Sequence, residues 1–169
     1  MSKEKKPPKS HKLELPSRIA GNADLIRTIR ELEKVDDFLY QTRLRMPGRP
    51  VTLPKSSKML DELAEVNGVS LLDEEKRKNL LEVLESLLEK SPTIHISFAS
   101  EPTNDFLQNI VGWSRKNIHP YALINVGLQP SVIVGCEVRT TNKVFDLSLR
   151  NKFGQMREVL IKKLEDSND

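Results

Sequence analysis

The six residues Thr93-Ile94-His95-Ile96-Ser97-Phe98 decide the fold, because the apolar period of the chain changes there. Ile94, Ile96 and Phe98 recur at every second position, which places them on one face of a β-strand and His95 on the other. Before this stretch, apolar residues recur in steps of three and four. After it, both periods occur.

Working back from Thr93, Ser91-Pro92 ends a helix that Asp73 can cap, with Glu74 and Glu75 suited to the positive end of its dipole. Leu80, Leu81, Leu84, Leu87 and Leu88 give this helix the strongest apolar stripe in the chain. Asn67-Gly68 reads as the left-handed stop of a shorter helix that starts at Ser56 or Ser57 and uses Met59, Leu60, Leu63 and Ala64. Pro47, Gly48, Pro50 and Pro54 form a stretch that no helix crosses. Ahead of it, Asn22 or Asp24 caps a long helix through Leu25, Ile29, Leu32 and Leu39, with Val35, Phe38 and Leu44 widening the stripe. Leu13 to Ala20, containing Pro16, reads as an extended lead-in.

Working forward from Phe98, Ser100 and Pro102 suit a new helix start, with Phe106, Leu107, Ile110, Val111 and Trp113 on its buried side. His119-Pro120 ends that helix, and Tyr121 to Leu128 is a second strand. Ser131 to Thr140 and Lys143 to Asp146 predict a hairpin turning at Thr141-Asn142. A last helix is expected from about Ser148 to Leu164 through Leu149, Phe153, Met156, Leu160 and Leu164, weakened at Gly154. The class is α+β: a helical bundle of about three helices over 17–91, then a strand–helix–strand–hairpin–helix unit over 92–169. One helix between two strands permits a parallel pair and the hairpin adds antiparallel ones, so the sheet is expected to be mixed.

Charge is unevenly placed. Five of the 27 basic residues and one of the 24 acidic residues lie in 1–12, leaving 22 against 23 for the rest. Residues 1–16 therefore read as a disordered, basic, Pro-containing tail on a nearly neutral folded part. That balance argues against nucleic acid as the main partner, although scattered lysines would attract RNA or anionic lipid in a salt-sensitive way. The opening MSKEKKPPKSHK has no apolar core, so it reads as neither a secretory signal nor a transit peptide. No run approaches the roughly 18–20 apolar residues that span a bilayer. A single cysteine, Cys136, fits a reducing compartment.

Chemistry-bearing patterns are sparse. There is no phosphate-cradling glycine loop, and His11, His95 and His119 share no metal-ligand spacing. Cys136 reads as a small hydrophobe in a strand, and Trp113 as core packing beside a helical stripe. Asp36-Asp37, Asp61-Glu62 and Glu74-Glu75 are interleaved with Lys and Arg, the pattern of solvated helix faces. No catalytic residue, cofactor site or metal site is expected. The leucine-rich stripes are the features that ask for a partner. They bury either against one another or against an amphipathic helix from another protein. The candidate partner-binding residues are Leu25, Ile29, Leu32, Leu80, Leu84 and Leu87, with Phe153, Met156 and Leu160 on the last helix.

The segment 93–153, TIHISFASEPTNDFLQNIVGW followed by YALINVGLQPSVIVGCEVRTTNKVFDLSLRNKF, resembles the C-terminal domain of the delta subunit (the OSCP type) of F-type ATP synthases. Pro130, Ser131 and Ile133 stand in that family's turn, Gly135 at its first glycine, Asp146 before the final helix and Ser148 at its start. Cys136 replaces the second glycine, and Leu147 replaces the glycine between Asp146 and Ser148. The family's six-helix N-terminal bundle has no counterpart in the three helices expected here, so its head-binding residues are not carried over. The resemblance implies a non-catalytic connector in the peripheral stalk of a bacterial enzyme, on the cytoplasmic face of the membrane. Its implied partners are the N-terminal helix of the alpha subunit and a b-type stalk subunit. The alternative left open by composition is an RNA- or ribosome-associated module using the lysine-rich tail.

Overall fold

The computed structural model describes residues 13–47, 49–132 and 135–147. Three helices come first: α1 (Asn22–Arg45), α2 (Lys58–Val66) and α3 (Glu74–Lys90). Strand β1 (Thr93–Phe98), helix α4 (Asn104–Asn117) and strands β2 (Leu123–Leu128), β3 (Cys136–Arg139) and β4 (Val144–Asp146) follow. The sheet order is β2-β1-β3-β4, with β1 and β2 parallel and the other pairs antiparallel. The fold is thus α+β, helices first and a small mixed sheet after. The expected last helix lies outside the described residues.

The helix ends follow their local chemistry. The Asp73 carboxylate accepts hydrogen bonds from the Glu75 and Lys76 amides and so caps α3, an arrangement worth about 1 kcal/mol. The Ser57 hydroxyl accepts from Leu60 N at 3.3 Å to cap α2. Gly68 after α2 has φ of 61°, the left-handed angle that Asn67-Gly68 predicts.

Two ends differ from expectation. Helix α4 is capped by Thr103, not started at Ser100 or Pro102. Helix α1 is preceded by Gly21, with no side chain to cap it, so neither Asn22 nor Asp24 takes the expected place. Asn125 of β2 supplies the missing acceptor, with Asn22 N donating to its Oδ1 at 3.0 Å. The Asp24 carboxylate instead accepts from the Ala20 and Gly21 amides.

The stripes of α1, α2 and α3 close on one another. Leu25, Ile29, Leu32, Val35 and Leu39 are buried with Leu60, Leu63, Leu80 and Leu84, and Leu123 of β2 joins the same cluster. Each such side chain contributes roughly 1.5–3 kcal/mol by leaving water. Phe38 and Leu44, expected to widen the stripe, are exposed instead, because they sit on either side of the face that α2 and α3 cover. The second cluster lies under α4: Ile94, Ile96 and Phe98 pack with Val111 and Ile124, and with half-buried Leu107, Ile110 and Val138.

The lead-in ties the two clusters together. Leu15 and Pro16, assigned to the tail from sequence, are buried. The Arg115 guanidinium of α4 donates to the carbonyls of Leu15, Pro16 and Ile19 at 2.6, 2.8 and 2.5 Å. On the other side, Asn67 exchanges hydrogen bonds with Glu14: Glu14 N donates to Asn67 Oδ1, and Asn67 Nδ2 donates to Glu14 O. Ordering begins before residue 17 because these backbone groups find partners on both halves.

Candidate interaction surface

Most of the residues that sequence reasoning offered for partner binding are inside the protein. Leu25, Ile29, Leu32, Leu80 and Leu84 are buried, and Leu87 packs half-buried against them. This is a correction with a simple cause. Two stripes at helical spacing in one chain satisfy each other first, so these leucines are closed off from a partner helix. Phe153, Met156 and Leu160 lie outside the described residues.

The apolar surface that does reach solvent is elsewhere. Trp113, expected in the core, is 61% exposed, and Phe106 is exposed two turns earlier on the same face of α4. Half-buried Ile110 lies between them, so Phe106, Ile110 and Trp113 form one stripe. The opposite side of α4 is consumed by Val111, Ser114 and Arg115, all turned towards the sheet and the lead-in. Phe106 also meets Phe98 edge to face, with ring centroids 5.9 Å apart. Phe145 of β4 pairs with Val138, which places it on the sheet face that α4 covers, and it is 48% exposed. Phe98, Pro102, Phe106, Gly135 and Cys136 line an open depression at the end of β1. A second exposed group, Tyr40 and Leu44, lies one turn apart near the end of α1, where Arg43 donates to the Leu72 carbonyl.

The motif residues divide. Gly135 has φ of 104°, a left-handed angle that demands glycine. Cys136 sits in extended strand opposite Phe98, and Leu147 N donates to Cys136 O at 2.9 Å. Neither has a positive φ, so both accept a side chain where the resembled family has glycine. Pro130 and Ser131 are exposed, and the Ser131 hydroxyl accepts from Gln129 Nε2 at 3.1 Å. Asp146 ends β4 opposite Glu137. Ile133 and Ser148 lie outside the described residues.

No known family model matches this chain, and no curated protein does.

His95 is exposed on the strand, and His119 Nδ1 accepts from Tyr121 N at 3.2 Å. Among the described residues no group of three His, Cys, Asp or Glu is placed to hold a metal ion. Partial burial pushes the Cys136 thiol up from its ordinary pKa. Burial pulls the Arg115 guanidinium down to about 10, so it is still a cation at neutral pH, and the acceptors the structure gives it are carbonyls. No helix among the described residues is long and apolar enough to cross a membrane.

Arg115 and Asn125 were not singled out in the sequence. Arg115 follows buried Val111 by four residues, so its side chain starts on the covered face of α4. That spacing is the signal that marks it.

Proposed function

We propose that the chain is a non-catalytic docking subunit that joins the catalytic head of an F-type ATP synthase to its peripheral stalk. What supports this reading is the ordered run of motif residues in 93–153, and above all Gly135. The resemblance calls for glycine there, and the backbone angle of 104° is one that side-chain-bearing residues avoid. The uncovered α4 stripe of Phe106, Ile110 and Trp113 supplies an apolar face of the kind that a b-type stalk helix would cover. The three-helix half also exposes apolar residues, Tyr40 and Leu44 of α1 among them, to which the N-terminal helix of an alpha subunit would dock. Two separate faces on one chain suit a part that transmits torque.

The test is recovery of the tagged chain from gently solubilised membranes. The reading expects catalytic-head and stalk subunits to come with it in fixed ratio. Recovery free of those subunits, or on ribosomes in a salt-sensitive manner, would overturn it.

A further inference from the structure

Strand β2 is an edge of the sheet, and beyond Ile124 its outer side pairs with no strand among the described residues. Leu123 N donates to Pro92 O and Gln129 N to Phe98 O, both towards β1, while Ile124 N donates outward to Ala20 O. Backbone groups alternate along a strand, so the amides and carbonyls of Val126 and Leu128 also point outward. Among the described residues they meet no backbone partner there. Their side chains are exposed too, at 41% and 61%. Edge strands are ordinarily guarded by charge, proline or a bulge. The other edge, β4, carries Asp146 and follows Lys143. Strand β2, Leu-Ile-Asn-Val-Gly-Leu, carries no charge.

We propose that β2 pairs antiparallel with β2 of a second copy of this chain, about a twofold axis at Gly127. The edge is complementary to itself in this register. Val126 of one copy faces Leu128 of the other, each exchanging both N–H···O bonds, and symmetry repeats the pair, giving four bonds in all. The same pairing sets Val126 beside Leu128 across the axis on both sides, covering the four exposed side chains. Gly127 meets its own copy as the close, non-hydrogen-bonded pair. The ladder ends cleanly, because Ile124 N already donates to Ala20, and Pro130, which would oppose it, has no N–H. A contact of this size gives a weak, concentration-dependent dimer. It does not rest on the stator reading.

The experiment is sedimentation velocity of the full chain in its native form and as Val126→Lys and Leu128→Lys. Both positions are exposed, so the variants fold, which circular dichroism checks. The expected result is a mass rising from one chain towards two, weakened about tenfold or more in each variant. A constant single-chain mass up to about 1 mM, or a dimer untouched by Val126→Lys, would overturn the proposal. The register is read separately with Gly127→Cys in a Cys136→Ser background. The two Cα atoms at about 4.5 Å lie within disulfide reach, so diamide is expected to crosslink them faster than a Lys58→Cys, Cys136→Ser control. Equal rates would refute the twofold at Gly127.

Discussion

Arg77 of α3 reaches Asp36 of α1 with two of its nitrogens, Nε at 2.8 Å and a terminal nitrogen at 2.5 Å, while its third nitrogen donates to the Leu71 carbonyl. The arginine is 2% exposed, so it is a buried cation held by one half-buried carboxylate. Removing one partner of such a pair leaves the other's charge without compensation. Asp36→Ala is expected to lower stability by about 3 kcal/mol, read as a fall in the urea midpoint. Replacing both residues, as Asp36→Leu with Arg77→Met, is expected to recover most of that loss. A single variant that unfolds at the native midpoint would show that the pair does not fix α1 against α3.

Gly21 is constrained by space, not by its backbone angle. A Cβ there would lie 2.4 Å from Ile124 O and 2.7 Å from Asn125 Oδ1. Gly21→Ala must therefore push α1 away from β2 and strain the hydrogen bond that Asn125 Oδ1 accepts from the Asn22 amide. The expected loss is about 1–3 kcal/mol, as for other overpacked sites. Asn125→Ala is expected to cost about 1 kcal/mol through the lost cap. Thermal denaturation of both variants checks the order, with Gly21→Ala the more damaging.

Arg115 is the clasp of the lead-in. With Arg115→Met the carbonyls of Leu15 and Ile19 lose the guanidinium donor and that of Pro16 keeps the Ile19 amide alone of its two donors, while the stem still fills its place. Amide exchange of Ile19 and Ala20 is expected to speed up by about tenfold or more, with α3 amides unchanged. Uniform acceleration throughout the chain would mean that Arg115 supports the whole fold.

The sequence made the order of elements, the mixed sheet and most helix ends legible, because each rests on a local signal. Asp73 and Ser57 carry their own capping oxygen, and Gly68 its own backbone freedom. The turn between Thr140 and Lys143 closes as Thr141-Asn142 predicts, with Thr140 N donating to Lys143 O. Failures came where a partner distant in sequence decides. Asn125 caps α1 from 103 residues away, and Arg115 grips a segment about 100 residues earlier. For the interaction surface, periodicity identified apolar faces but not which of them pair internally. Leu80 and Leu84 found Leu25 and Ile29, while Trp113, next to a buried stripe, was left outside it.

Cys136 gives a pH-dependent signature. Burial favours its neutral thiol, so its folded pKa lies above the unfolded value. The unfolded chain then loses the proton first as pH rises. The stability that this group contributes is full below the unfolded pKa and is lost as pH climbs through the folded one. Iodoacetamide labelling of the native protein is expected to rise at higher pH than labelling of the urea-unfolded chain. A native profile at or below the unfolded one would contradict the burial that packs this residue opposite Phe98.

Trp113 is the single tryptophan, and it stands on the face that the account assigns to the stalk. Its fluorescence is therefore a direct report on docking, measured by titrating the chain with a tryptophan-free cytoplasmic fragment of a b-type stalk subunit. The account predicts a saturable blue shift as the indole leaves water, abolished by Phe106→Asp on the same stripe. Emission that stays at the solvent-exposed wavelength through a titration in which the fragment binds, or in which it does not bind at all, would contradict it.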